Sequence, residues 1–312
     1  MVNKSYQKRC KKCCWAEIKK DWFMRWKQRW KCRECRHVFQ NKTRTVKKKI
    51  RNIWNEYCFW KQTYSELAEK YGKSLKQIQK IIDSYDFIAP QITPTEVILL
   101  MDTTYFWEFW IMAFKSYESK KVIHYRIVKN ENNTDYKEWV SKLQEEWWII
   151  KAIVCDGRKG LLTWFPDIPT QMCQFHQVAI IRRYITKNPI LQANKDLKWI
   201  TNLLKQTDKE TFTHYLEKYW KKYEAFLKEK TIWKDGKLRY VHNRTRSAYF
   251  SLKNNLKYLF TSYDYIWIID IPNTTNALEW VFGHLKTKVA LHRWLKKERK
   301  IKLILALLNG KN

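Results

Sequence analysis

The chain has 312 residues, with 62 Lys and Arg against 30 Asp and Glu and a formal net charge of +32. This length allows one large hydrophobic core and one or two smaller modules. A cationic surplus spread along the whole chain indicates a polyanionic partner, of which a phosphate backbone is the commonest. A membrane surface is the alternative, but no apolar run approaches the roughly 18 residues that a spanning helix needs.

The first residues, Met1 to Arg9, are basic and lack the apolar segment of a signal peptide. We therefore expect a cytoplasmic, nucleoid-associated protein of a prokaryote. In that compartment the eight cysteines would be reduced and available to bind metal ions.

Two Cys-x2-Cys pairs occur near the start of the chain, separated by 18 residues: Cys10 with Cys13 and Cys32 with Cys35. The spacing is typical of a four-thiolate Zn²⁺ site, because each pair places two sulfurs on one edge of a tetrahedron. We therefore predict a zinc ribbon over residues 1–45. The alternative is a coincidental group of core or reactive cysteines. Cys14 is expected to be uncoordinated.

Residues 46–90 follow with a pattern that favours a helix-turn-helix. A first helical segment ends near Lys61, and a second runs from Tyr64 to Tyr71 before a turn at Gly72. Ser74 then caps a third segment. The side chains predicted to face DNA are Lys73, Lys76, Gln77 and Lys80. An ordinary helical hairpin is the alternative interpretation.

From Thr95 the pattern changes to strands, and we predict an α/β domain over residues 91–312. The predicted order begins with three antiparallel strands over Glu96–Asp102, Phe109–Lys115 and Lys121–Lys129. A helix over Asn133–Trp147, a buried strand over Ile149–Cys155 and a short fifth strand over Thr170–Cys173 follow. A helix follows from His176, and residues 187–262 are expected to form a helical insertion. This order is that of a ribonuclease-H-like domain. A last helix, capped by Asn273–Asn276, begins near Ala277 and carries Glu279 in its first turn.

Three carboxylates in this domain are candidate metal ligands: Asp102 and Asp156 follow apolar strand segments, and Glu279 lies at a helix start. An unpaired buried carboxylate is costly, whereas a pair of metal ions would explain buried acidic groups. Hard divalent ions such as Mg²⁺ or Mn²⁺ take oxygen ligands. Two such ions about 4 Å apart drive in-line displacement at phosphorus. Taken singly, each residue has an ordinary alternative role as a turn, cap or first-turn charge.

Four motifs together resemble the Asp-Asp-Glu (DDE) transposases of the IS256/Mutator superfamily. They are Met101-Asp-Thr-Thr-Tyr105, Asp156-Gly157 with Gly160-Leu161, Gln171-Met-Cys-Gln-Phe-His176 and Thr274-Thr-Asn-Ala-Leu-Glu279. The N-terminal cysteine pairs resemble a zinc-binding variant of the bacterial group. The resemblance implies a ribonuclease-H-like core, a catalytic triad of Asp102, Asp156 and Glu279, and a Cys-x2-His pair at Cys173 and His176.

The Cys173–His176 pair is half of a zinc site by spacing, and no second pair lies near it. A buried thiol with a hydrogen-bonded imidazole that supports the active site is at least as reasonable. Contact of His176 with the scissile phosphate is a third possibility. Lys286 lies two turns beyond Glu279 and is a candidate DNA contact, with a solvated basic face as the alternative.

These patterns predict a transposase that cleaves double-stranded DNA at the terminal inverted repeats of an insertion sequence and joins the ends to target DNA. A homodimer or higher oligomer on DNA is expected. Residues 1–88 should supply sequence-specific end recognition. The alternatives are a ribonuclease-H-like nuclease or resolvase that cuts without joining, and a DNA-binding regulator with an inert catalytic domain.

Tryptophan is unusually frequent and glycine unusually rare, at 18 and 6 residues, whereas ordinary usage gives about 7% glycine. Trp107, Trp280 and Trp294 occupy positions where the resemblance implies glycine. Some bacteria read the codon UGA as glycine, while a common alternative table translates it as tryptophan. We hypothesise that many of these tryptophans are glycines in the living cell. The alternative is a true enrichment of tryptophan for stacking on bases.

Overall fold

The computed structural model describes residues 9–10, 12–14, 17–24, 27–40, 44–87, 90–292 and 295–310. The chain divides into two compact units, Met1–Phe87 and Ile88–Asn312. Within the described residues, no helix is both long and apolar enough to cross a lipid bilayer.

The N-terminal unit begins with a three-stranded antiparallel sheet in the order β1-β2-β3. Its strands are β1 (Ile18–Met24), β2 (Lys27–Cys32) and β3 (Val38–Gln40). Among the residues whose burial is described, the core of this sheet contains Cys10, Cys32 and Phe39. Two of these three residues are predicted zinc ligands, so a bound metal would stabilise the centre of the sheet.

Three helices complete the N-terminal unit: α1 (Arg44–Phe59), α2 (Tyr64–Tyr71) and α3 (Leu75–Asp83). Thr63 and Ser74 each form a capping box with the residue three positions on, which fixes the starts of α2 and α3. Such caps stabilise a helix by about 1 kcal/mol. Gly72 ends α2 at φ +57°, a left-handed conformation that glycine adopts without strain. The predicted helix, glycine turn and serine-capped helix are therefore present.

The second unit contains a five-stranded mixed sheet in the order β6-β5-β4-β7-β8. Its strands are β4 (Glu96–Tyr105), β5 (Trp110–Ser116), β6 (Val122–Val128), β7 (Ile149–Cys155) and β8 (Thr170–Met172). The first three pair antiparallel, and β7 and β8 run parallel to β4. Helix α4 (Asn133–Glu145) makes the crossover between β6 and β7. The central strand β4 is buried along most of its length, as expected for a strand with neighbours on both sides.

Helix α5 (Gln174–Ile185) follows β8, and three long helices form most of the insertion after it: α6 (Gln192–Leu203), α7 (Lys209–Lys228) and α8 (Asn243–Leu259). The buried amides of Gln171 and Gln174 both donate to the carbonyl of Leu259, at 3.0 and 2.9 Å. The end of the insertion is thereby tied to the edge of the sheet. Three further helices follow: α9 (Thr261–Asp264), α10 (Asn276–Leu291) and α11 (Lys297–Gly310).

Several predicted boundaries need correction. Asp102 lies inside β4, because β4 continues to Tyr105 through its pairing with Trp110 of β5. The fifth strand ends at Met172, and the next helix starts at Gln174, before His176. The insertion is not wholly helical, since it contains an antiparallel hairpin of β9 (Lys230–Ile232) and β10 (Leu238–Tyr240).

The prediction that residues 273–276 cap the last helix through a side-chain hydrogen bond is also wrong. Thr275 occupies the N-cap position of α10, yet its side chain makes no capping hydrogen bond. Its hydroxyl donates instead to the thiol of Cys173. The predicted position of Glu279, in the first turn of this helix, is confirmed.

Candidate active site

Asp102 and Asp156 lie at the same level of two neighbouring parallel strands. The register pairs Leu100 of β4 with Val154 of β7, and each aspartate follows its paired residue by two positions. The Asp102 carboxylate accepts a hydrogen bond from the Thr103 N–H at 2.8 Å. The sheet therefore brings together two carboxylates that are far apart in the sequence.

The environment of Asp102 disfavours its ionised form. The residue is only 9% exposed, and burial raises its pKa to about 7. The negative charges of Asp156 and Glu131 act in the same direction, while the imidazole of His176 partly opposes them. A carboxylate in this position is stabilised either by a proton or by a cation placed beside it.

Glu279 reaches the same region from α10. Its Oε1 atom lies 3.8 Å from Nε2 of His176. Among the described groups, Oε1 of Glu279 and Nδ1 of His176 are buried without a hydrogen-bond partner. One donor atom from each of Cys173, His176 and Glu279 lies within 4.8 Å of the other two. This part of the site therefore offers unsatisfied ligand atoms.

The imidazole of His176 is held in its charged form by the groups around it. Burial would lower its pKa, but the Cys173 thiol and the charges of Asp102 and Asp156 raise the pKa to about 9. His176 thus interacts electrostatically with both aspartates and lies next to Glu279. It is the common neighbour of the three predicted catalytic carboxylates.

The start of α10 is fixed from two sides. Cys173 accepts hydrogen bonds from the N–H and the hydroxyl of Thr275, at 3.3 and 3.4 Å. The buried ammonium of Lys115 on β5 donates to the carbonyl of Ala277 at 3.2 Å. Glu279 lies in the turn that these contacts hold, so its position depends on the sheet and on the start of α5.

Sequence reasoning missed Glu131 and Arg158, which border this site. Arg158 forms an ion pair with Glu131 at 2.9 Å and donates to the side chain of Asn133 at 2.8 Å. Its backbone N–H also donates to Asp156 at 3.2 Å. Glu131 is a fourth carboxylate at the site, and its pKa is raised chiefly by burial. It lies in a polar loop before α4, where no sequence pattern distinguishes it from a solvated residue.

The predicted zinc ligands of the N-terminal unit form one cluster. The four sulfur atoms of Cys10, Cys13, Cys32 and Cys35 all lie within 4.8 Å of one another. The Lys12 N–H donates to the Cys10 sulfur at 3.4 Å. Burial opposes ionisation, yet backbone hydrogen bonds from Cys13 and Lys12 help lower the pKa of Cys10 to about 6. The arrangement fits a tetrahedral thiolate site for Zn²⁺. Cys14 is exposed and lies outside the cluster.

The family model of the Mutator family of transposases matches residues 112–308. This match covers more than half of the chain. The chain belongs to the Mutator family of transposases. The match includes Asp156, Cys173, His176 and Glu279, whereas Asp102 lies ten residues before it. A comparison with curated proteins finds no match.

Membership of this family implies that the transposase binds and processes DNA. Of the side chains predicted to contact DNA, Lys76, Gln77 and Lys80 are exposed on α3, and Lys73 is partly buried before it. Gln77 also takes part in the capping box, where its carbonyl oxygen accepts from the Ser74 N–H at 3.1 Å. Lys286 is exposed on α10. Contact of these residues with DNA stays a prediction.

The tryptophans of this transposase differ in backbone conformation. Trp107 has φ +56°, a left-handed conformation that strains residues with a Cβ atom. Trp280 is helical and stacks on His284 with ring centroids 5.7 Å apart, so its backbone does not require glycine. Trp294 lies outside the described residues.

Trp147 is a further case that sequence reasoning missed. It follows α4 at φ +71° and is 86% exposed. Its N–H donates to Gln144, and the next N–H, of Trp148, donates to Leu143. This is the Schellman motif, whose left-handed position is usually occupied by glycine. An exposed indole offers no packing energy to offset that strain.

Proposed function

We propose that this transposase cleaves DNA at the ends of a mobile element and joins the freed ends to target DNA. In this proposal Asp102, Asp156 and Glu279 hold two divalent cations in a ribonuclease-H-like domain. The observation that carries it is the placement of Asp102 and Asp156 at one level of two parallel strands, with Glu279 reaching the imidazole that both aspartates perturb.

The side chains present fit hard divalent cations. The site offers carboxylate oxygens, among them the unpartnered Oε1 of Glu279, and Mg²⁺ or Mn²⁺ prefers such ligands. The raised pKa of Asp102 reflects a carboxylate that a nearby cation would stabilise. When bound, two such ions activate an oxygen nucleophile and stabilise the leaving oxygen at phosphorus.

The chain's own residues would orient this chemistry. The backbone N–H groups of Thr103 and Arg158 each hold one carboxylate oxygen, of Asp102 and Asp156 respectively. Each aspartate keeps its second oxygen free of those contacts. His176 carries a proton near neutral pH and holds Glu279 by charge. The carboxylates are therefore oriented before the displacement at phosphorus begins, which reduces the reorganisation that this displacement requires.

The N-terminal unit is proposed to recognise the element ends. Its cysteine cluster would bind Zn²⁺ as a ribbon, and α2 with α3 would form the helix-turn-helix. Chelation of zinc should then lower affinity for element ends far more than for random duplex. Equal losses on both substrates would mean that the unit contributes charge alone.

The central test uses cleavage and strand transfer on oligonucleotides that carry the element ends, with Mg²⁺ or Mn²⁺. Asp102→Ala, Asp156→Ala and Glu279→Ala should each abolish both reactions while DNA binding persists. Glu145→Ala, which changes an exposed acid on α4, is the matched control and should remain active. Pre-cut ends isolate the joining step: cleavage without joining would indicate a nuclease or resolvase. Full activity of Asp102→Ala would refute the proposed triad.

A further inference from the structure

A pocket of about 270 Å³ lies between α6 and α7, within the insertion. Its walls include Trp199 and Tyr215, whose rings meet edge to face at 89° with centroids 5.1 Å apart. Trp199 is 51% exposed, so much of its indole faces solvent. A cavity of about 150 Å³ already holds benzene. The present pocket therefore has room for a larger planar ring system.

Polar groups also line this pocket. Tyr219 is 3% exposed, and its buried hydroxyl has no hydrogen-bond partner among the described residues. Asp196 accepts hydrogen bonds from Lys222, the Tyr223 hydroxyl and the Gln192 amide, at 2.8, 2.7 and 2.6 Å. These contacts hold the carboxylate in place beside Tyr219. A ligand with both donors and acceptors on its edge would match this arrangement.

Cations line the outer side. Lys218 is exposed on α7, one turn before Lys222, whose ammonium is paired with Asp196 at 2.8 Å. An aromatic wall with lysines at the rim is the combination that binds single-stranded nucleic acid, because bases stack on the rings while ammonium groups neutralise phosphates.

We propose that this pocket binds one unpaired nucleobase of the DNA on which the transposase acts. The base would stack on Trp199, present its edge to Tyr219 and Asp196, and leave its phosphate near Lys218. Removing a base from its stack costs a few kcal/mol in duplex DNA and least where the base is already unpaired. The pocket would thus favour DNA that is distorted or single-stranded at one position. The inference needs DNA binding by the family and a tryptophan codon, UGG, at position 199, and it is independent of the proposed metal triad.

The test compares two DNA duplexes of the same sequence, one fully paired and one with a single extrahelical 2-aminopurine. Fluorescence anisotropy gives both dissociation constants at one salt concentration. Because stacking on an aromatic side chain is worth about 1–3 kcal/mol per base, the intact protein should prefer the bulged duplex by at least ~5-fold. Stacking on Trp199 should also quench 2-aminopurine emission.

Variants locate the effect. Trp199→Ala should remove the preference and the quenching, and Tyr219→Phe should weaken the preference while preserving the fold. Trp267→Ala, which changes an indole that is 97% exposed and outside the pocket, is the matched control. Equal binding of both duplexes by the intact protein would overturn the proposal. So would a preference retained by Trp199→Ala, or one lost in Trp267→Ala.

A last experiment distinguishes a base that is presented by DNA from a free nucleotide. Free deoxyadenosine monophosphate is titrated against the complex with bulged DNA. Weak or absent competition at millimolar concentration supports a base presented by DNA, because the rest of the duplex supplies most of the affinity. Competition at micromolar concentration would assign the pocket to a free nucleotide and overturn the proposal.

Discussion

Cys173 accepts two hydrogen bonds from a single residue, Thr275, which begins the helix that carries Glu279. The two motifs that contain these residues are far apart in the sequence, yet they form one structural unit. Thr275 is fully buried, so its N–H and hydroxyl depend on the sulfur for their hydrogen bonds. The thiol thus serves to position a carboxylate.

This contact predicts the effects of substitution at Cys173. Cys173→Ala leaves two buried donors without a partner, and each such loss costs about 1–3 kcal/mol. We expect a lower melting temperature and a higher Mg²⁺ concentration for half-maximal cleavage. Cys173→Ser retains an acceptor and should recover much of both. Cys155→Ala, at another fully buried thiol, is the control and should shift stability without changing the Mg²⁺ dependence. If it changes that dependence equally, the special role of Cys173 is wrong.

We predict that removing the charge of Asp102 makes the folded protein more stable, by an amount that depends on pH. Its pKa rises from 3.8 to about 7 on folding, chiefly through burial, so the folded state binds the proton more tightly. The proton on Asp102 therefore stabilises the folded state fully at pH values below the pKa of the unfolded chain, and this stabilisation is lost as pH rises through about 7. Without divalent ions, Asp102→Asn should be more stable than the parent protein at pH 8, by on the order of 2–4 kcal/mol, and nearly equal to it at pH 4.

Denaturant titrations at the two pH values check this expectation, and Mg²⁺ supplies the contrast. Bound cations should stabilise the parent protein at pH 8 and stabilise Asp102→Asn much less. A variant that is less stable than the parent at pH 8 without metal would show that the Asp102 carboxylate is not destabilised by its surroundings.

Removal of zinc should unfold the three-stranded sheet of the N-terminal unit. Cys10 and Cys32 are predicted zinc ligands and belong to its described buried core, and structural zinc sites supply folding energy directly. Cys32→Ser should bind less than one equivalent of zinc, measured by atomic absorption, and lose end-specific DNA binding. Cys14→Ser changes an exposed thiol outside the cluster and should bind one full equivalent. Equal zinc content in both variants would contradict the four-thiolate site.

The left-handed tryptophans predict that replacement by glycine is stabilising. Trp147→Gly should raise stability by about 1–2 kcal/mol, because a residue with a Cβ atom pays roughly that much in this conformation. Trp280→Gly is the matched control: it is also exposed but helical, so glycine there should be destabilising by up to about 1 kcal/mol. Thermal melts of the two variants should therefore shift in opposite directions.

The gene and the native protein supply the second check. Codons 107, 280 and 294 were singled out from the sequence, and the structure adds codon 147 on the ground of its backbone. UGA at these codons, with glycine in peptide masses from the native host, would establish the recoding. UGG codons would make the hypothesis wrong.

Local signals in the sequence identify much of this fold. The apolar run Ile149–Cys155 predicts β7 with its observed bounds, and Gly72 with Ser74 predicts the turn between α2 and α3. These features depend on burial and on backbone chemistry within a few residues. The apolar and β-branched run Glu96–Asp102 predicts a strand that ends at Asp102. Pairing with β5 extends the strand beyond it, which only the tertiary structure decides.

Other features depend on contacts between distant segments. The hairpin β9–β10 has an Asp235-Gly236 turn, a recognised hairpin signal, but the helical periodicity around it dominated the prediction. Glu131 joins the candidate site through Arg158, which comes from a different loop. The link from Cys173 to Thr275 spans 102 positions of sequence. Neither contact leaves a local pattern that could be read from residue types alone.

The backbone at Trp107 and Trp147 also bears on where such a gene can spread. A mobile element moves between genomes, but its transposase is made only by a host that completes the reading frame. If these codons are UGA, a host with the standard code would stop translation before α10 and its carboxylate are made. A host that inserts tryptophan would make a full-length chain that carries strain at two turns. The meaning of one codon would then act as a barrier to transfer between lineages and confine the element to cells that read it as glycine.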